Sequence, residues 1–193
     1  MTALSRHLLI TALALIATPC LVAAEEHDAI KPVPRQGGWM TRHESFNKRV
    51  AQGNVDLVFI GDSITQGWPG DLLNQYFGRY RPANFGIGGD RAENVLFRLQ
   101  HGELEDTTPK IVVLLLGINN LAMGNTPGEA ALGVALVLRK LRTKVPRAKI
   151  LLLGVFPTRK AEDQAKIREV NGYQAKMDDG KTIRNFNINS RFL

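Results

Sequence analysis

Three short polar segments of the sequence contain the residue types that acyl transfer requires. Ser63 stands in IGDSITQGW, Gly89 in NFGIGGDR and Asn119 in LLLGINN. A serine hydroxyl can attack an ester carbonyl, while backbone N–H groups and a side-chain amide can stabilise the oxyanion that then develops. If the three segments meet in the folded chain, they supply a nucleophile and its oxyanion hole.

Each of these segments directly follows an apolar run that is typical of a strand. Three runs are short and nearly continuous, as expected of parallel strands covered on both faces. Two further runs are weaker candidates. The strong runs are residues 56–60, 111–116 and 150–155, and the weak ones are residues 83–87 and 184–188.

Apolar residues at helical spacing predict helices between these strands. The predicted helices cover about 39–50, 92–99, 127–145 and 161–177, and another begins at Ser63. The third has a clear start, because Thr126 and Glu129 form a capping box around Pro127.

The alternation of strands and helices predicts an α/β fold with a doubly wound, parallel five-stranded sheet in flavodoxin-like three-layer α/β/α form. In strand order 2-1-3-4-5, Ser63, Gly89 and Asn119 share one edge of the sheet.

The three segments resemble the successive sequence blocks of the SGNH (GDSL) hydrolases. The stretch FRLQHGELEDTTPKIVVLLLGINN is similar to the branch that includes the catalytic subunits of platelet-activating-factor acetylhydrolase. The resemblance runs from about residue 39 to 193 and implies the SGNH hydrolase fold. It makes Ser63 the nucleophile, with an oxyanion hole formed by the N–H groups of Ser63 and Gly89 and the Asn119 side chain. It implies no metal or cofactor, and substrates that are small acyl esters, such as acetylated carbohydrates or lipids.

Neighbouring residues have supporting or structural interpretations. Asp62 is expected to hold the Ser63 loop by accepting backbone N–H groups, and Asp90 to support the second segment. We interpret Asn120 as structural. Three alternatives stay open: Ser63 could cap a helix, Gly89 could serve a tight turn, and Asn119 could be an ordinary turn residue.

The resemblance also implies a base, a histidine in an Asp-x-x-His block near the C-terminus, and this sequence contains no such block. His7 and His27 lie near the N-terminus, His43 falls on an apolar helical stripe, and His101 is expected at the opposite end of the sheet. Loss of the histidine from a serine protease costs on the order of 10⁶ in turnover. We therefore expect impaired activity.

The same comparison predicts that the fold lacks its final C-terminal helix. An apolar patch is then expected near residues 184–188. A truncated gene product and a retained carbohydrate- or lipid-binding pseudoenzyme both fit.

The N-terminal residues resemble a secretory signal peptide. Arg6 and His7 precede an apolar run from Leu8 to Ala17, and small residues precede Glu25. This predicts cleavage after about Ala24, a periplasmic or secreted protein, an extended leader over residues 25–38 and an esterase domain over 39–193. The alternative is a membrane anchor, for which the run is short.

The formal net charge is +7, and six basic residues fall between Arg139 and Lys149. We expect no nucleic-acid partner, because no aromatic residues interleave with these charges. A solvated helix end explains the run, and binding to acidic surfaces remains the third hypothesis.

The expected partner of this protein is a small acyl ester. We expect no stable membrane span, and homo-oligomerisation is left open.

Overall fold

A computed structural model describes residues 27–192, so the predicted signal peptide of residues 1–24 lies outside the described residues. Its centre is one parallel sheet of five strands in the order β2-β1-β3-β4-β5. The strands are β1 (Leu57–Gly61), β2 (Pro82–Gly86), β3 (Ile111–Leu115), β4 (Lys149–Leu153) and β5 (Ile183–Phe186). The predicted strands and their order are confirmed.

Seven α-helices accompany the sheet in this part of the chain. They are α1 (Gly38–Ala51), α2 (Ser63–Gln66), α3 (Gly70–Phe77), α4 (Ala92–Gln100), α5 (Ile118–Ala122), α6 (Pro127–Lys144) and α7 (Ala161–Ala175). The capping box of α6 forms as predicted, since Thr126 Oγ1 accepts the Glu129 N–H at 3.2 Å. Among the described residues, no helix has the length and apolar character that a bilayer crossing requires.

The helix that starts at Ser63 is shorter than its apolar pattern suggests. It ends at Gln66, and α3 is a separate helix that follows Pro69. Proline lacks the backbone N–H that a helix interior needs, so Pro69 stands at the start of α3. The nucleophile candidate therefore lies on a single, isolated helical turn.

One face of the sheet carries the main core. Alternate side chains of the three central strands are buried there against α1, α4 and α6. Such burial of aliphatic side chains is the dominant stabilising contribution in a fold of this kind. The strand residues on this face are Val58, Ile60, Val112, Leu114, Ile150 and Leu152.

The opposite face is only partly covered. Near β1, the ring of Phe59 packs against Trp68 and Phe77, with centroid distances of 6.1 and 5.5 Å. Towards β5 an apolar groove of about 390 Å³ stays open, and Phe186 at its rim is 55% exposed. The apolar patch predicted near the last strand is thus confirmed.

The leader packs on the domain. Ala29 is fully buried in a single 3₁₀ turn, Asp28–Ile30. An added Cβ on Gly133 of α6 would lie 2.8 Å from the Ala29 carbonyl oxygen, so this glycine makes room for the leader. Further along, Asn94 Nδ2 donates to the Val33 carbonyl at 3.0 Å. These contacts bring the next leader residues towards the carboxyl ends of the strands.

The open groove predicts binding of an apolar dye. Anilinonaphthalene sulfonate should fluoresce with the parent protein, and Phe186→Ser should lower that signal because it removes apolar surface at the groove. Since Phe186 is exposed, the free energy of unfolding should change by less than about 1 kcal/mol. Leu132→Ser, an exposed apolar residue on α6, is the matched control. An equal signal from both variants would contradict the assignment of the dye site.

Candidate active site

The three polar segments meet at the carboxyl edge of β1, β2 and β3. A Cβ added to Gly88 would lie 3.7 Å from Ser63 Cβ, so the second segment passes directly beside the serine. Asn119 Nδ2 lies 3.3 Å from Asp62 Oδ2 and 2.9 Å from the Asp90 carbonyl oxygen. One residue of the third segment therefore joins the first two, as expected from the strand order.

Ser63 is the first residue of α2, and it does not cap the helix. The cap is Asp62, whose Oδ1 accepts the Ile64 N–H at 2.9 Å. The alternative that Ser63 is a helix cap is wrong, and the expectation that Asp62 holds this loop is confirmed. Ser63 is exposed, and its Oγ has no hydrogen-bond partner among residues 27–192.

Glycines at the ends of β1 and β2 allow α2 to sit directly on the sheet. An added Cβ on Gly61 would lie 2.2 Å from Thr65 Oγ1 and 2.6 Å from the Leu115 carbonyl oxygen. On Gly86 it would lie 2.3 Å from the Gln66 backbone nitrogen. Any side chain at these positions would displace α2 and with it Ser63.

Two backbone N–H groups in the segments around Ser63 have no hydrogen-bond partner among the described residues. The N–H groups of Ser63 and Gly89 make no hydrogen bond to any residue that the structure describes. Gly89 occupies a tight turn closed by the Asp90 N–H and the Ile87 carbonyl oxygen at 3.1 Å, with a φ of 77°. The turn interpretation of Gly89 is confirmed, and the same turn leaves its N–H unpaired.

The Asn119 amide is the third donor. Its shorter hydrogen bond, to the Asp90 carbonyl, fixes the orientation of the side chain. Its contact with Asp62 is long at 3.3 Å and correspondingly weak. An oxyanion beside Ser63 could therefore compete for that hydrogen.

Asn120, by contrast, is part of the framework. It is fully buried, and its Oδ1 accepts the Ala92 N–H at 3.0 Å. Its amide nitrogen donates to Glu93 and to Asn125 at 3.1 Å each. The prediction that Asn120 is structural is confirmed.

Asp90, a residue of the second segment, has its carboxylate at the centre of a buried cluster of charged side chains. Its carboxylate accepts the Trp39 Nε1–H at 2.6 Å and lies 3.1 Å from Arg98 Nη2. Arg98 is fully buried, and its Nη1 also donates to Glu103 Oε2 at 2.7 Å. The supporting role predicted for Asp90 gains a physical basis, because its carboxylate ties the segment to α1 and α4.

Burial raises the pKa of three acids, Asp62, Asp90 and Glu103. The pKa of Asp62 rises to about 6, mainly by desolvation and further by the negative charge of Asp90. Desolvation also raises the pKa of Asp90, although the Arg98 guanidinium opposes it. Glu103, fully buried, has its pKa raised to about 7 for the same reason. Burial disfavours the ionised form of each of these carboxyl groups, because the surroundings are less polar than water.

None of the three histidines in the described part of the chain contacts Ser63. His43 is buried, with Nε2 3.0 Å from the His101 carbonyl oxygen, so its predicted packing role is confirmed. His101 follows the far end of α4 and stacks on Phe97, with ring centroids 3.8 Å apart. His27 lies in the leader beside Asp28. Residues 27–192 also contain no cluster of three His, Cys, Asp or Glu side chains suited to a metal ion.

A shallow cavity beside the serine has an apolar lining. Its volume is about 410 Å³, and its lining residues are Ser63, Ile64, Gly67, Trp68, Pro69 and Leu72. Apolar walls beside a polar centre are the usual composition of a small-molecule pocket. The cavity suits an alkyl or short acyl group.

Comparison with known proteins places the site in a family. Residues 59–183 match the model of the GDSL-like Lipase/Acylhydrolase family. The chain belongs to this family. The chain is similar to platelet-activating factor acetylhydrolase IB subunit alpha2 of Gallus gallus, with 37% identity over 139 residues, covering 69% of this chain and 57% of the relative. It is also 35% identical to subunit alpha1 of Homo sapiens over 156 residues, covering 78% and 66%.

A solved member of the lipolytic protein G-D-S-L family from Veillonella parvula shares the fold. Its TM-score is 0.59 at 15% identity, covering 70% of this chain and 79% of that chain. The present chain spans 57–66% of the length of the two acetylhydrolase subunits. The predicted resemblance to GDSL hydrolases is confirmed.

Sequence reasoning missed several residues that shape this GDSL site. They act through side chains from distant parts of the chain, and they are Arg35, Trp39, Gln66 and Arg98. Only Arg98 carried a signal, because a charged residue next to the apolar stripe of α4 needs a buried partner. The other three fit ordinary leader or helix positions.

Substitution of Gly86 should test the contact between α2 and the sheet. Gly86→Ala should lower the free energy of unfolding by about 2–3 kcal/mol, since the new methyl group meets backbone atoms that cannot rotate away. Gly78→Ala is the matched control: its φ is −50° and no atom lies within 4 Å of the added Cβ. Urea denaturation of both variants measures the difference, and equal stabilities would contradict the close approach.

Asp62→Asn should stabilise the protein more at neutral than at acidic pH. The folded pKa of Asp62, about 6, lies above its ordinary 3.8. The contribution of protonated Asp62 to the free energy of unfolding is therefore fully present below pH 3.8, and it is lost as the pH rises through 6. Asparagine stays neutral, so its stability relative to the parent should improve by about 2 kcal/mol between about pH 4 and pH 7. Urea denaturation at both pH values measures this, and a relative stability that falls with pH would contradict the raised pKa.

Proposed function

We propose that this chain is a serine esterase that hydrolyses small acyl esters with Ser63 as its nucleophile. The observation that carries the proposal is the unpaired Ser63 hydroxyl beside two unpaired backbone N–H groups, those of Ser63 and Gly89. Unpaired donors next to an exposed hydroxyl are the components of an oxyanion hole. Membership of the GDSL-like Lipase/Acylhydrolase family supports the same reaction.

The reaction is a two-step acyl transfer. Ser63 Oγ attacks the ester carbonyl and loses its proton to a base, and the carbonyl oxygen becomes an anion held by the N–H groups of Ser63 and Gly89 and by Asn119. Collapse of this intermediate breaks the ester bond, and the alcohol leaves with a proton. Water then attacks the acyl-Ser63 ester, which releases the acid and restores the hydroxyl.

The cavity beside Ser63 favours a short apolar acyl group. Ile64, Trp68 and Leu72 form walls without charge. The two acetylhydrolase relatives are named for removal of an acetyl group, and an acetyl ester fits walls of this kind. Acetylated carbohydrates or lipids are the proposed substrate class, and the N-terminal pattern supports action in the periplasm or outside the cell.

The rate of the proposed ester hydrolysis depends on the base that accepts the proton of Ser63. No side chain among residues 27–192 forms a hydrogen bond to Ser63 Oγ. In a serine protease, the oxyanion hole and substrate binding alone retain roughly 10³–10⁴ of the acceleration over water. We propose that this chain is impaired in the same way when no base is added.

A non-catalytic carbohydrate- or lipid-binding protein is the second candidate function. The unpaired Ser63 hydroxyl favours it as well, because a nucleophile without a base can persist in a binding pocket. The two functions differ in whether a bond to Ser63 ever forms.

Chemical rescue tests the proposed esterase. Free imidazole should act as the missing base, so it should raise hydrolysis of an activated acetyl ester by the parent protein. In Ser63→Ala, imidazole should give only its own solution rate. Intact-mass measurement should show one acetyl group on the parent and none on the variant.

Equal rates for the parent and Ser63→Ala with imidazole present, and no acetylated species, would contradict the esterase. Binding of acetylated sugar or lipid without acetylation would then favour the pseudoenzyme. A high parent rate without imidazole would contradict the proposed impairment instead.

A further inference from the structure

The Gly88–Gly89 peptide, which belongs to the proposed oxyanion hole, can adopt two opposite orientations. It is the central peptide of the turn from Ile87 to Asp90, and Gly89 has the φ of 77° that a type II turn requires at its third position. Type I and type II turns differ by a flip of this central peptide. Neither central residue has a Cβ, so the local sequence allows both forms.

The direction of this peptide decides whether the oxyanion hole exists. The described chain contains no cis peptide bond, so the Gly88 carbonyl and the Gly89 N–H point in opposite directions. In the observed form the Gly89 N–H is unpaired near Ser63. A flip would turn that N–H away and place a carbonyl oxygen there, which would repel an oxyanion.

Arg35 of the leader holds the carbonyl side of this peptide. Its Nη1 donates to the Gly88 oxygen at 2.7 Å and lies 3.4 Å from Asp90 Oδ1. A Cβ added to Gly89 would lie 3.1 Å from Nη1 and 3.2 Å from Nη2, so the guanidinium covers the turn. On the other side, Gln66 Oε1 accepts the Gly88 N–H at 2.6 Å.

We propose that Arg35 is a positioning residue that locks the Gly88–Gly89 peptide with its N–H towards Ser63. This rests on the proposed esterase function and deepens it. Arg35 precedes residues 59–183, the part that matches the family model. The leader is therefore part of the active site through one hydrogen bond to the outer side of the oxyanion turn.

The charge of Arg35 has a second effect on the same peptide. A cation at the Gly88 oxygen draws electron density from the peptide unit, because hydrogen bonds along one peptide polarise one another. The Gly89 N–H becomes a stronger donor as a result. A lysine at position 35 keeps the charge and one donor but not the planar guanidinium that covers both glycines.

Leader attachment alone does not explain this contact. The leader is also held by Asn125 Nδ2 to Asp28 Oδ1 at 2.8 Å and by Asn94 to the Val33 carbonyl at 3.0 Å. Both contacts involve leader residues that precede Arg35, and neither includes an atom of Gly88 or Gly89. Loss of the Arg35 side chain should therefore free the peptide and leave the leader in place.

The experiment compares Arg35→Ala and Arg35→Lys with the parent, and uses Asp28→Asn as a leader control. Asp28→Asn removes the ion pair with Arg91, and Asp28 is not among the partners of the Gly88 carbonyl or N–H. Hydrolysis of the activated acetyl ester is measured with imidazole, and the Gly88 and Gly89 amide signals are followed by ¹⁵N NMR. All four proteins are the full chain.

Arg35→Ala should lower kcat by about 10- to 100-fold with little change in KM, because an oxyanion donor acts in the transition state. Arg35→Lys should recover part of this loss. The Gly88 and Gly89 signals should shift or broaden in Arg35→Ala and stay unchanged in Asp28→Asn.

Unchanged glycine signals in Arg35→Ala would overturn the proposal, and so would equal changes in Asp28→Asn, which would indicate general loosening of the leader. A loss that appears in KM alone would also overturn it. If the parent has no Ser63-dependent rate, the esterase proposal fails, and the glycine signals alone decide whether Arg35 locks the peptide.

Discussion

Burying a carboxylate without a cation costs several kcal/mol, and Asp90 is completely buried at the point where the three strand-end segments meet. Arg98 supplies the cation from α4, and Trp39 donates a hydrogen bond from α1. The Asp90 carbonyl, in turn, accepts the Asn119 amide. One residue thus joins two helices, the second segment and the third. Without Arg98 the carboxylate would keep only one cation from the described chain, Arg35, at the longer distance of 3.4 Å, and the loop that carries Gly89 would be held less firmly.

The position of Ser63, the proposed nucleophile, depends on a second constraint, which is steric. Ser63 is exposed only because the single turn of α2 lies flat against the ends of β1 and β2, where Gly61 and Gly86 have no side chains. Asp62 closes the start of that turn and keeps a raised pKa because it is buried there. Close contact with the strand ends restricts how far this turn can shift. Rigid donors of this kind stabilise a developing charge without the cost of reorientation.

The described residues combine the unpaired N–H groups of Ser63 and Gly89 with an unpaired Ser63 hydroxyl, a leader that contacts the Gly88–Gly89 turn, and an open apolar groove on the other face of the sheet. The first two features favour acyl transfer, and the family supports it. The groove lies on a different part of the molecule from the serine cavity. No side chain among residues 27–192 forms a hydrogen bond to Ser63 Oγ, so the proposed acyl transfer needs a base that these residues do not place there.

The sequence by itself determined the five strands, their order and the edge at which Ser63, Gly89 and Asn119 meet, because continuous apolar runs and helical periodicity are local patterns that restrict the topology of a parallel sheet. The motif order also identified the family. Only the tertiary structure decided that Asp62 and not Ser63 caps α2, that Arg98 neutralises Asp90, and that Arg35 faces Gly88. Two adjacent glycines permit either orientation of their shared peptide. The choice between the two orientations came from a side chain 53 positions away, which no local pattern could reveal.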